Sequence, residues 1–508
     1  MYSCQYLGLQ NSQAETFSDE EQSLVNLSVP DLPVPSGARG LLGFSDGHLS
    51  VPPSPPISAS YPASPASCFP SICDDGPSLN PQSSVTLDST EFSLLSHFLT
   101  HTSQTVPYDH VDLYALSVGI PNLAFYSKPV MSSLLSLAAA CKCHDIARRA
   151  QNPMDPRTLA EIRDLLAFAE RHHGASLQHI QAAILTQGCY DNVLANAALM
   201  VLYTSASHAV RVHLTATAQR TGQQLPIDVL LQHSSSHWIL FTRAAHTASM
   251  AVLNNHVFDA AKEDQTAPAP APSPAAGPSR AESCSTAVLC PQGGPSESTR
   301  NAFLPVVAST YVRALEGLRR KAESTLSSSS CSYLELQACL ETLPVLEMRA
   351  STALGPREGS SNEGEAASAE ESMAFGGNSR VSEWIGKYMV RVTSMTSSTA
   401  LRRIVMSFLN LAPVGYLNLV QTVLDLPSDE VPSLDAAHLL AMDIFAHWLV
   451  LVMLLDGVWW IGEIGHWELG KAISLIKSQN WLDPAAHGGQ PWWPESMYLV
   501  KRELTCHS

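Results

Sequence analysis

The sequence predicts an all-α protein, and three observations carry that expectation. Helix-patterned segments follow one another through residues 91–214, with nothing between them that looks like a catalytic loop. No segment of useful length alternates apolar and polar residues with the period of two that a half-buried strand requires. No fixed-period repeat is present either, so the helices do not read as a solenoid array.

The first helix runs through Glu91-Phe-Ser-Leu-Leu-Ser-His-Phe-Leu-Thr-His, where Leu94, Leu95, Phe98 and Leu99 share one side of a helical spiral. Ile120-Pro-Asn-Leu-Ala-Phe then leads into an apolar helix through Val130, Leu134, Leu137 and Cys141. Residues 159–173 and 175–185 read as a helix pair split by Gly174 in a C-cap-like position. Residues 193–214, rich in Ala, Leu and Val, form the next helix. Within residues 310–349, Ser332-Tyr-Leu-Glu335 has the pattern of a capping box ahead of Leu336, Leu340 and Leu343. Helical spacing returns over 384–392, 401–411, 417–424, 434–455 and 466–477.

Other stretches are too polar or too rich in Pro to fold. Residues 1–85 hold eight carboxylates and one cation, Arg39, among repeated Pro and Ser, and are expected to form a disordered acidic tail. Inside it, Phe17-Ser-Asp-Glu-Glu-Gln-Ser-Leu-Val-Asn-Leu mixes acidic and apolar side chains, the composition both of coactivator-docking segments and of plain solvated tails. Residues 260–300, with Ala267-Pro-Ala-Pro-Ala-Pro-Ser-Pro, and residues 351–380, rich in Gly, Ser and Glu, read as linkers looped out of one helical domain. That domain then comprises a first part at 86–259, a helical segment at 301–350 and a last part at 381–508.

A net charge of −17 argues against a broad basic face of the kind that grips DNA phosphates, and leaves room for a small basic module elsewhere in a complex. The 11 cysteines are scattered and odd in number, and several lie inside helix patterns, the usage of a reducing compartment. The N-terminus shows neither the basic n-region nor the apolar h-region of a signal peptide. Ile444-Phe-Ala-His-Trp-Leu-Val-Leu-Val-Met-Leu-Leu455, bracketed by Asp443 and Asp456, falls short of the roughly 20 apolar residues a spanning helix needs. A buried core helix is expected there, in a soluble intracellular protein.

Several motifs look chemical until their context is read. Gly43-Phe-Ser-Asp-Gly47 matches a nucleophile elbow, but no strand precedes Ser45 and Val51-Pro-Pro follows. Gly465-His-Trp-Glu-Leu-Gly-Lys471 nearly matches a phosphate-binding loop, yet position 472 is Ala and Glu468 would repel phosphate. Cys141-Lys-Cys-His144 spaces its ligands too closely for a zinc knuckle. His233 and His237, and His172, His173 and His179, fit no metal pattern and read as structural. Seven of nine tryptophans lie between Trp448 and Trp493, where core packing is favoured over an aromatic-lined effector pocket. Arg319-Arg-Lys321 is either a minimal nuclear import signal or a solvated helix face. No catalytic, cofactor-binding or metal-binding residue is assigned, and no enzymatic activity is expected.

Local features in a consistent order carry a family resemblance. They are Leu94-Leu-Ser-His-Phe-Leu-Thr-His-Thr, the Pro121-Asn-Leu-Ala-Phe turn into Leu134-Leu-Ser-Leu-Ala-Ala-Ala, and Glu170-Arg-His-His-Gly-Ala-Ser-Leu. Trp238-Ile-Leu-Phe-Thr-Arg243 and Trp493-Pro-Glu-Ser-Met-Tyr498 complete the set, which spans most of residues 91–504. The chain thereby resembles the regulatory domain of fungal-specific transcription factors, the helical region that usually follows a binuclear zinc cluster. The resemblance implies a nuclear transcription regulator, of the kind that governs secondary-metabolite gene clusters, with protein partners (a coactivator, a DNA-binding factor or a second copy) and room for a small-molecule effector. The six-cysteine zinc array of the family is missing, although Ser3-Cys-Gln-Tyr-Leu-Gly-Leu9 looks like the sequence that often follows it. Direct DNA binding is therefore not carried over to this chain, whether it is a cluster-less paralogue or lacks an upstream exon. A ligand-sensing or protein-interaction module without a promoter role is the alternative.

Overall fold

The computed structural model describes residues 87–506, apart from 152, 185–189, 226–235, 264–293, 329–332, 356–380, 394–399, 427–433 and 480–490. The expected tail, most of both linkers, Ser45, Ser332, His233 and Trp481 lie outside the described residues. Among the described residues every regular element is helical.

Helix α1 (Ser89–His97) starts where a capping box closes its open N–H groups: Glu91 N donates to Asp88 Oδ1 and Asp88 N donates to Glu91 Oε2, both at 2.8 Å. Leu94, Leu95 and Phe98 are buried, whereas Leu99 lies on the margin of their stripe and stays 39 % exposed. The chain continues into a π turn, Phe98–Thr102. Asp109 caps α2 (His110–Tyr114) by accepting from Val111 N and Asp112 N, and a second π turn (Ala115–Gly119) joins it to α3 (Ile120–Tyr126). The segment at Pro121 is thus helix rather than turn, because Pro is well suited to the first turn of a helix, where its missing N–H costs nothing.

Helix α4 (Lys128–Arg149) is buried along most of its length and packs on α5 (Pro156–Ile184) and α6 (Tyr190–Thr221). Gly174 does not split α5, which runs through it without a left-handed residue. An interior glycine costs only about 1 kcal/mol relative to Ala, and tertiary contacts on its far side outweigh that. Ser176 Oγ donates to Asn196 Oδ1 of α6 (2.8 Å) and reaches Pro129 O of α4 (3.0 Å), while Ser133 Oγ lies 2.8 Å from Ser176 Oγ.

After α7 (His237–Glu263) the description resumes at Gly294, so both ends of the expected 260–300 linker belong to the folded unit. Ser296 and Thr299 bind the Asp456 carboxylate, which also receives Lys501 Nζ at 2.8 Å. A π turn (Thr299–Phe303) leads to α8 (Leu304–Ser328) and α9 (Tyr333–Leu354), the latter extending four residues into the second expected linker. Then follow α10 (Glu383–Val392), α11 (Leu401–Leu411), α12 (Val414–Leu424), α13 (Ala436–Val452), α14 (Ile464–Ser478) and α15 (Trp493–Cys506).

Helix α13 is the centre of the fold, with every residue from Leu439 to Val452 buried. Trp448 donates Nε1–H to Val405 O of α11 (2.9 Å) and stacks on Trp238 of α7 and Phe408 of α11. Its neighbour Phe445 completes the aromatic cluster at 5.5 Å. Helices from before and after the two linkers therefore share one core, and the described residues fall into one compact unit.

Among the described residues, two stretches, Tyr190–Thr221 and Ala436–Leu455, are long and apolar enough to cross a membrane by length and composition, or three if the bent pair α11–α12 is counted as one span. In this fold the apolar windows of the two are 78 % and 94 % buried by other helices. Asp443 does not bracket the apolar segment but sits inside α13, which is how that helix reaches spanning length. Its carboxylate is held by Lys321 Nζ of α8 (2.7 Å), Trp492 Nε1 (2.9 Å) and His447 Nδ1 (3.3 Å). Burial works to raise its pKa, but Lys321 and His447 outweigh that and hold the carboxyl well below its usual range.

A second buried charge cluster ties the loop before α2 to α11. Arg402 donates to Val106 O (2.7 Å) and to Asp112 Oδ2 (3.2 Å), and Arg403 also pairs with Asp112. Tyr108 N donates to the same carboxylate at 3.0 Å. These bonds satisfy the lone pairs that burial would otherwise leave unpaired.

Candidate functional site

A cleft of about 1840 Å³ opens where α4, α6, the turn 456–463, α14 and α15 converge. Three glycines shape it, two by close backbone approach and one by its backbone conformation. Gly465 lets α14 touch α13: a Cβ there would sit 2.7 Å from Met453 N and 2.9 Å from Val452 C. Gly462, at φ +48°, turns the chain into α14 through a conformation that side chains resist. Gly457 brings the same turn against the backbone at Gly294.

The lining is cationic in a strongly acidic chain. Arg148, Arg149, Arg220, Lys471, Lys501 and Arg502 face three carboxylates, Asp145, Asp456 and Glu463. Lys501 is engaged by Asp456, Lys471 by Glu468 and Arg502 by Glu503, so Arg148, Arg149 and Arg220 colour the cleft most. Histidines supply a further layer. Burial pushes the His144 pKa down to about 4 despite the adjacent Asp145. Burial, and then Lys501 and Arg502, push His466 to about 4 as well. Both are therefore neutral at pH 7 and offer one donor and one acceptor each.

Three of the thirteen unsatisfied buried polar side-chain atoms among the described residues belong to residues on the same walls. Trp459 Nε1, Trp467 Nε1 and His466 Nε2 are buried without a hydrogen-bond partner, and all three residues line the cleft. Buried polar atoms are nearly always satisfied in folded proteins, so these three are exceptions on the walls of one cavity.

At one edge, α1 and α4 bring together two imidazoles and a carboxylate. His101 Nε2 lies 3.0 Å and His97 Nε2 lies 3.6 Å from Asp145 Oδ2, and the three ligand atoms fall within 4.8 Å of one another. These residues have the chemistry to hold a metal ion. Nothing in the sequence reading singled them out; the four-residue spacing of His97 and His101 was the available signal.

The residues that the sequence did single out are placed as follows. Gly465 to Lys471 lies in α14, so no loop exists to cradle phosphate, and Glu468 is buried against His208 Nε2 at 3.0 Å. Cys141 and Cys143 are buried in α4, where desolvation raises both thiols, Cys141 to about 12, far from a thiolate nucleophile at neutral pH. His172 stacks on Phe168, His173 packs between Tyr203 and Phe241, and His179 is exposed. His237 begins α7. The tryptophans divide: Trp448, Trp460 and Trp492 are core, whereas Trp459 and Trp467 line the cleft. Within Arg319-Arg-Lys321, Lys321 is spent on buried Asp443 and Arg319 pairs with Glu347, so the triplet is not a free solvated face.

No known protein family, characterised protein or solved structure matches this chain.

Proposed function

We propose that the chain is a fungal-type transcription regulator without enzymatic activity, acting in the nucleus through its helical domain on genes of a biosynthetic pathway. The order of sequence features set out above carries this reading. The all-α fold is compatible with it, and the size and cationic lining of the cleft support a domain that responds to an effector. Exposed aromatic side chains on the first helices, Phe92, Tyr114, Phe125 and Tyr126, supply apolar surface for a protein partner. With a net charge of −17 and no six-cysteine array within the given sequence, promoter contact in this reading runs through a DNA-binding partner or through a zinc-cluster exon upstream of Met1.

The test is a reporter assay with the full chain fused to an unrelated DNA-binding domain, together with imaging of a fluorescent fusion. Change in reporter output and nuclear accumulation are expected. A folded, abundant fusion that leaves the reporter unchanged and stays out of the nucleus overturns the reading. The cleft favours one second reading, a ligand-sensing module with no promoter role; it predicts thermal stabilisation by an aromatic anion together with an unresponsive reporter.

A further inference from the structure

We propose that His97, His101 and Asp145 form a binding site for a divalent transition-metal ion on the rim of the cleft, with Zn²⁺ as the ion they fit best. This goes beyond the regulatory reading and does not depend on it.

The geometry is close to what an ion needs before any ion is added. Bonds of about 2.0–2.2 Å at tetrahedral angles place neighbouring ligand atoms about 3.4 Å apart. The two imidazole nitrogens stand 3.6 Å and 3.0 Å from the shared carboxylate oxygen. Both rings come from one short stretch: His97 ends α1, His101 lies in the π turn that follows, and their centroids are 5.2 Å apart. Single π turns inserted in α-helices are frequent at functional sites.

The surroundings match a ligand role as well. His97 Nδ1 lies 3.2 Å from the Thr102 hydroxyl, which occupies the ring's other nitrogen and leaves Nε2 directed to Asp145. Metal-ligating histidines nearly always have such an outer partner. Two imidazoles and one carboxylate select a borderline ion such as Zn²⁺ or Co²⁺ over Mg²⁺ or Ca²⁺, which prefer oxygen throughout. His101 is 42 % exposed and, with Asp145, lines the cleft. The fourth position therefore opens towards the cavity, where water or an acceptor group of a bound molecule completes the shell.

The competing description is a plain hydrogen-bonded His–Asp cluster, and metal titration separates the two. Chelator-treated full-length protein is titrated with Zn²⁺ by calorimetry and with Co²⁺ by visible absorption. The expected result is one saturable equivalent that disappears in His101→Ala and Asp145→Asn and remains in His172→Ala. Thr102→Val should retain the equivalent with affinity lowered about 10–100-fold. Far-UV circular dichroism in chelator checks each fold, and His101→Ala decides the matter if the Asp145 variant is unstable, since its side chain faces solvent. Equal stoichiometry and affinity in wild type and His101→Ala overturn the proposal. So does the absence of saturable binding, or a thiolate-to-cobalt charge-transfer band, which would require a different ligand set.

Discussion

Replacing Lys321 with Met should destabilise the fold far more than a change at an exposed basic triplet would. Asp443 is 1 % exposed in the middle of α13, and Lys321 Nζ at 2.7 Å is its principal counter-charge. Removing one partner of a buried pair costs about 3–5 kcal/mol, because the remaining charge stays desolvated. Here Trp492 Nε1 and His447 still hold the carboxylate, so about 3 kcal/mol is expected, out of a total near 5–15 kcal/mol. Combining Lys321→Met with Asp443→Leu removes both charges and should recover most of the loss, leaving about 1–3 kcal/mol for the orphaned Trp492 donor. The pH dependence has a definite sign. The Asp443 pKa is depressed in the folded state, so its stabilisation is present above about pH 5 and is lost as pH falls through and below about 3.9. Loss of Lys321 raises the folded pKa, and the gap between wild type and variant should narrow between about pH 5 and pH 3. Urea unfolding of the full chain, followed by tryptophan fluorescence across this range, measures all three quantities. A loss below about 1 kcal/mol in the single variant, or a double variant no more stable than the single one, refutes the reasoning.

Gly465→Ala should be costly for a different reason, since the nearest obstacles to its Cβ are the α13 backbone atoms Met453 N and Val452 C. Such overpacking costs typically 1–3 kcal/mol, and a variant as resistant to urea as wild type contradicts the close approach. His173→Phe should gain stability in acid: burial lowers the imidazole pKa to about 4, so the wild type loses about 3 kcal/mol as pH falls from about 7 to 4, and Phe has no proton to take up. A difference between the two proteins that does not change with pH excludes His173 as the titrating group.

The fold class was legible because apolar periodicity is a local property. The 401–411 run became α11 without change, and α13 is buried all round as its composition demanded. Local reading failed where a distant contact decides. Gly174 carries the letter of a helix stop, yet the bonds of Ser176 to α4 and α6 keep the helix going. The amphipathic α15, packed against α13 and α14, went unread because no Ser, Thr, Asp or Asn stands just before Trp493 to announce its start. The cleft was less legible still. Its walls come from segments scattered from His101 to Thr505, and no spacing within any one of them announces the others. Even the His97–His101 pair gains chemical meaning only when Asp145, on another helix, arrives beside it.

The Asp456 carboxylate belongs both to the interior and to the cleft wall. It gathers Ser296, Thr299 and Lys501, and so clamps the last helix and the segment returning at 294 to the end of α13. Lys501 is also one of the residues that line the cavity. An anion that draws Lys501 towards itself takes it from the clamp, and by reciprocity a loosened clamp frees the ammonium for the anion. An anion bound at that wall would therefore compete with Asp456 for one lysine, and the anchoring of the last helix would report whether it is there.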